Sequence, residues 1–157
     1  MNKIYTLLIC TLLLCLQSCQ EKHEESDYDR IDNFLSNELG FSNLDDFDML
    51  AVINEMGDCM NCNNSFSKTM AEHTANKKLL FLISTPGTRV DISEYIDKGN
   101  TNVLYDFHNH FKNLDLINRS AILKFKHVAL DTIIEIKADN LQEQIDAFNA
   151  PRTSELN

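Results

Sequence analysis

Two short runs without a polar side chain, Met49-Leu50-Ala51-Val52-Ile53 and Leu79-Leu80-Phe81-Leu82-Ile83, constrain this chain more than any other feature. A strand with one wet face alternates apolar and polar residues, so a run without alternation is a strand buried on both faces. Between the runs, Cys62, Phe66, Met70 and His73 recur at helical spacing, which predicts a helix with one inward face from Met60 to Ala75. Strands that alternate with helices in this way need cover on both sides of a sheet.

The rest of the chain supplies that cover. Tyr28, Ile31, Leu35 and Leu39 mark an amphipathic helix opened by Ser26 or Asp27 and stopped at Gly40. A weak helix, Ile92 to Ile96, ends at Gly99, and Val103-Leu104-Tyr105 forms another short strand. After a polar and aromatic segment, Phe107 to Asn118, come Ala121 to Val128 and Thr132 to Ile136, close enough to form a hairpin. Leu141, Ile145 and Phe148 give a last helix that Pro151 terminates. The expected fold class is α/β, a mixed sheet flanked by helices on both faces.

The chemistry expected of this fold centres on Cys59-Met60-Asn61-Cys62, where the first buried strand gives way to the helix. A thiol at a helix N-terminus meets unsatisfied N–H groups and the positive end of the dipole, both of which favour thiolate. The pair therefore reads as a redox dithiol, Cys59 the exposed attacking sulfur and Cys62, one turn on, the resolving one. Asp58 opposes ionisation of its neighbour, and Arg119, if the fold brings it beside the pair, favours it.

Three of the five cysteines fall in the first nineteen residues. Lys3, the apolar stretch Ile4 to Leu16 and the polar residues after it have the grammar of a secretory signal, too short to cross a bilayer comfortably. Leu16-Gln17-Ser18-Cys19 resembles the lipobox of bacterial lipoproteins, which implies cleavage after residue 18 and acylation of Cys19. An acidic tether, residues 19–27, would follow, then a domain over 28–150 and a tail over 151–157. Acidic residues directly after such a cysteine resemble the surface-export signal of Bacteroidetes lipoproteins, so the expected location is the bacterial cell envelope, with the outer membrane favoured.

A formal net charge of -10 argues against nucleic acid and against electrostatic docking on anionic lipid. Membrane attachment is left to the acyl chains. The length that remains after residue 18 is one domain's worth.

The order strand, Cys-x-x-Cys helix, strand, helix, hairpin, helix resembles the thioredoxin-like superfamily over roughly Asp48 to Phe148, and the added strand-loop insertion at Val103 to Tyr105 resembles its TlpA/ResA-like branch. The resemblance implies a thiol-disulfide oxidoreductase with Cys59, Cys62 and Arg119 as site residues. Its partners would be protein thiols or disulfides, and it would need no cofactor and no metal. Two departures stand out. Asp58 replaces the aromatic residue usual before the first cysteine, and Asn118-Arg119-Ser120 occupies the place of the cis-proline, with Arg119 closer to the peroxiredoxin-like pattern.

Three alternatives stand beside this reading. The first is a closed disulfide in a redox-inactive binding module. A second is Cu(I) handling by the cysteines with His108 and His110, if their loop folds over the pair, since His23 lies in the tether and His73 too far along the helix. The third is peroxidase chemistry, for which Gly57 to Phe66 lacks a threonine. The acidic residues Asp45, Asp46 and Asp48 read as a solvated turn.

Overall fold

The computed structural model describes residues 25–54, 59–86, 95 and 101–149. The signal, Cys19, most of the tether, Asp58, the helix expected at Ile92 to Ile96 apart from Tyr95, and the C-terminal tail lie outside the described residues.

A five-stranded mixed sheet forms from β1 (Met49–Asn54), β2 (Leu79–Ser84), β3 (Val103–Asp106), β4 (Ala121–Phe125) and β5 (Leu130–Glu135), in the order β3-β2-β1-β4-β5. The three strands β1, β2 and β3 run parallel, with Met49 opposite Leu79 and Phe81 opposite Val103. Antiparallel to β1, β4 sets Val52 opposite Ala121, and β5 returns along β4 as a hairpin. The apolar runs thus become β1 and β2, two of the three inner strands, whose residues face cover on both sides.

Helix α1 (Asp27–Leu39) covers one face and helices α2 (Met60–Glu72) and α3 (Leu141–Asn149) the other. Alternate strand residues sort accordingly. Leu50, Val52, Leu80, Leu82 and Leu123 meet Ile31, Phe34 and Leu35 of α1. Ala51, Ile53, Phe81, Ile83 and Ile122 meet Cys62, Phe66 and Met70 of α2. Burying one such Leu, Ile or Phe contributes on the order of 1.5–3 kcal/mol, so this two-sided cover holds the sheet together.

Ser26, not Asp27, caps α1: its hydroxyl accepts the Asp29 N–H at 3.1 Å while the Asp29 carboxylate reaches back to the Ser26 N–H, a reciprocal capping box. At the other end Gly40 takes a left-handed φ of 68°, the conformation that lets the chain leave the helix. Helix α2 stops at Glu72 rather than Ala75, with His73 as its C-terminal cap.

Strand β3 is followed by a 3-10 turn, His110–Leu114, which packs against α1 through the edge-to-face pair Phe34 and Phe111. Of the large apolar side chains here, Phe111 is buried, Leu114 and Leu116 are partly buried, and Phe107 stays exposed, stacked on Tyr105. Buried Asp106 organises this corner. Its carboxylate accepts Ser84 Oγ at 2.8 Å and the N–H groups of His110 and Phe111 at 3.0 and 2.8 Å.

The hairpin is shorter than its sequence implies. Strand β4 ends at Phe125 instead of Val128, β5 begins at Leu130 instead of Thr132, and a two-residue turn at His127-Val128 joins them.

Candidate active site

Strand β1 delivers the chain to the N-terminus of α2, and there Cys59 and Cys62 form a disulfide with Cα atoms 5.2 Å apart. Cys59 is the helix cap, one position before the first helical residue, Met60. Its φ of -119° and ψ of 87° are non-helical, which frees its sulfur to turn back and accept the Cys62 N–H at 3.2 Å. One of the orphan donors of a helix start is therefore aimed at this sulfur, the arrangement that lowers the pKa of a thiol.

The two sulfurs differ in access. Cys62 is 3% exposed and belongs to the apolar cluster with Ala51, Ile53 and Phe66, whereas Cys59 is only partly buried at its edge. Met60, between them, is 75% exposed and forms an apolar rim beside the bond. A nucleophile from outside therefore reaches Cys59 and not Cys62.

Beneath the helix start lies a buried polar cluster that sequence reasoning missed. Ser120, immediately before β4, accepts the Asn54 N–H at 3.0 Å and donates its hydroxyl proton to Asn63 Oδ1 at 2.8 Å. The Asn63 N–H in turn bonds Cys59 O at 3.0 Å. The ends of β1 and β4 and the first turn of α2 are tied together by this one hydroxyl. Its only sequence signal was polar residues ending or interrupting apolar runs, which carries no information about who meets whom.

Arg119 sets its Nε 3.6 Å from Glu135 Oε2 at the end of β5. The side chain that reaches α2 from this segment is Ser120, and no cis peptide occurs among the described residues.

The histidines are dispersed. His73 bonds Asn149 Oδ1 at 3.1 Å and packs on Phe148, docking α3 on α2. His110 lies 3.3 Å from Glu38 of α1, and His108 stacks on His110, so this loop faces α1, on the opposite side of the sheet from Cys62. Among the described residues no group of three or more His, Cys, Asp or Glu side chains is placed to hold a metal ion. The acidic stretch is a 3-10 turn, Leu44–Asp46, in which Asp45 accepts the Tyr28 hydroxyl, while Asp48 lies 3.9 Å from Lys78.

Burial, reinforced by the bond to Asp45, holds the Tyr28 phenol well above its ordinary pKa, and burial alone raises that of Tyr105. Neither group belongs to the sulfur site. Comparison with known protein families, characterised proteins and solved structures finds no match for this chain.

Proposed function

We propose that this protein is a thiol-disulfide oxidoreductase of thioredoxin-like type, held by acylated Cys19 on the outer side of a bacterial membrane. The observation that carries the reading is the asymmetry of the Cys59–Cys62 pair: a partly exposed sulfur at a helix cap, with a backbone N–H directed at it, joined to a buried one. The mixed sheet and its helices on both faces agree with that fold but do not by themselves specify an activity.

The reaction proposed is reduction of a substrate disulfide. Cys59 thiolate attacks one substrate sulfur; the substrate S–S bond breaks and the displaced sulfur leaves as thiolate, taking a proton from solvent. Cys62 then loses its proton and attacks the Cys59 sulfur, expelling the second substrate thiol. Two electrons have passed to the substrate, and the pair is left as a disulfide, the state seen here. A dithiol partner returns it to the reduced form.

A Cys62→Ser variant blocks the second step and is expected to accumulate mixed disulfides through Cys59 in cells, resolved on non-reducing gels and identified by mass spectrometry. Adducts that persist in a Cys59→Ser, Cys62→Ser double variant, or none at all, would remove the reading in favour of a closed structural disulfide.

A further inference from the structure

Asn63 is 4% exposed, and among the described residues its Nδ2 has no hydrogen-bond partner. An unpaired buried donor loses its water partners without replacement, and such exceptions in folded proteins call for a reason. The orientation of the amide is fixed from its other end. Ser120 has one hydroxyl proton, and its Oγ lies 2.8 Å from Asn63 Oδ1 against 3.4 Å from Asn54 O. Nδ2 is therefore held in place and left unused.

Asn63 stands four residues after Cys59, on the same helical face, and helical side chains lean toward the N-terminus. The carboxamide thus leans over the turn that starts at Cys59. In a disulfide that sulfur is a weak acceptor, but as a thiolate it carries a full charge and accepts strongly.

We infer that Asn63 is a positioning residue for the reduced couple: when the Cys59–Cys62 bond opens, Asn63 Nδ2–H donates to the Cys59 thiolate, joining the Cys62 N–H as a second donor. The step balances as exchange with a dithiol. The protein S–S bond breaks and the dithiol becomes a disulfide, giving up two electrons; one proton goes to Cys62, the other to solvent, and Cys59 remains an anion. The inference rests on the thiol-disulfide reading above. Because the donor serves only the reduced form, it makes the couple more oxidising and the Cys59 thiol more acidic. A role limited to packing would lower stability and leave both properties unmoved.

The test uses Asn63→Leu, of similar volume without the donor, read by equilibration with glutathione and by the pH profile of iodoacetamide alkylation of the reduced protein. A hydrogen bond to a charged group contributes at least about 1.4 kcal/mol, or tenfold. The equilibrium should therefore shift about tenfold toward the disulfide, roughly 30 mV for a two-electron couple, and Cys59 alkylation should move up by about one pH unit. If Asn63→Leu does not fold, Asn63→Asp decides, since it keeps the acceptor for Ser120 and must shift both readouts in the same direction. A folded variant whose equilibrium and alkylation profile match wild type overturns the inference, and does so alone when wild type exchanges with glutathione and traps partners. A wild-type disulfide that dithiothreitol does not open overturns the inference and the proposed function together. Shifted values in a protein that traps no partner support the Asn63 role and remove the enzyme.

Discussion

His127 and Val128 turn the β4–β5 hairpin with φ of 52° and 58°, both left-handed, and the chain closes through reciprocal Lys126 and Ala129 backbone bonds of 2.9 and 3.1 Å. Two-residue hairpins favour this pair of conformations because its twist matches the strands, and Asn-Gly adopts it most easily. A β-branched valine does not; left-handed backbone costs such a residue roughly 1–2 kcal/mol. Val128 is 60% exposed, so its side chain returns little of that by burial. Val128→Gly should raise stability by about 0.5–1 kcal/mol, after subtracting the greater freedom glycine gives the unfolded chain. Urea denaturation at neutral pH checks this, and a lower midpoint in the variant would show that the valine contributes more than its backbone costs. The same residues explain why the sequence misplaced the hairpin ends. With neither Asn nor Gly at the bend, Val128 read as strand and the turn was set too late.

Between elements, the tie from α1 to the Leu44–Asp46 turn is the Tyr28 hydroxyl on Asp45, made by a side chain buried in the α1-side core and set edge-on to Phe125. Burial first, and Asp45 second, raise its folded pKa above the ordinary 10.0. The sign follows: the unfolded chain ionises near pH 10 while the folded chain keeps its proton, so this stabilisation is complete below pH 10 and lost as pH rises beyond it. Tyr105 acts in the same direction. Wild-type stability by urea melts should fall above pH 10 with a contribution from Tyr28 of up to about 1.4 kcal/mol per pH unit, and Tyr28→Phe should remove that contribution. Equal slopes for the two proteins would mean that Tyr28 titrates as an exposed tyrosine does. What was legible at this scale was local. The buried strands β1 and β2, the face of α2 and the cysteine-to-helix junction follow from runs and spacings within a single segment. The polar cluster does not, because Ser120 and Asn63 are 57 residues apart and their pairing exists only once β4 lies beside β1. Charge singles out Arg119, whose Nε lies 3.6 Å from Glu135, but carries no signal for its neutral neighbour Ser120, which bonds Asn63 of α2.

At the scale of the whole molecule, the proposed redox site and the proposed anchor depend on each other. Outside the cytoplasm a disulfide such as Cys59–Cys62 persists without a glutathione pool to open it, so the couple needs a dedicated reductant and a fixed place to meet it. With a formal net charge of -10 the chain is repelled by anionic lipid, and among the described residues no helix is long and apolar enough to cross a membrane. The proposed anchor is acyl chains on Cys19, and two or more chains hold a protein stably where one does so only marginally. Acyl insertion and charge docking respond differently to salt, since screening at about 1 M shortens electrostatic reach to roughly 3 Å and leaves apolar burial intact. The full chain expressed in bacteria should therefore stay with membranes through a wash in about 1 M salt and be released by detergent, while Cys19→Ser should appear in the soluble fraction of the envelope with its disulfide formed. Release of wild type by salt alone would point to electrostatic docking despite the acidic surface and would remove the lipid anchor. Retention of Cys19→Ser on membranes would assign attachment to the uncleaved apolar stretch Ile4 to Leu16 instead.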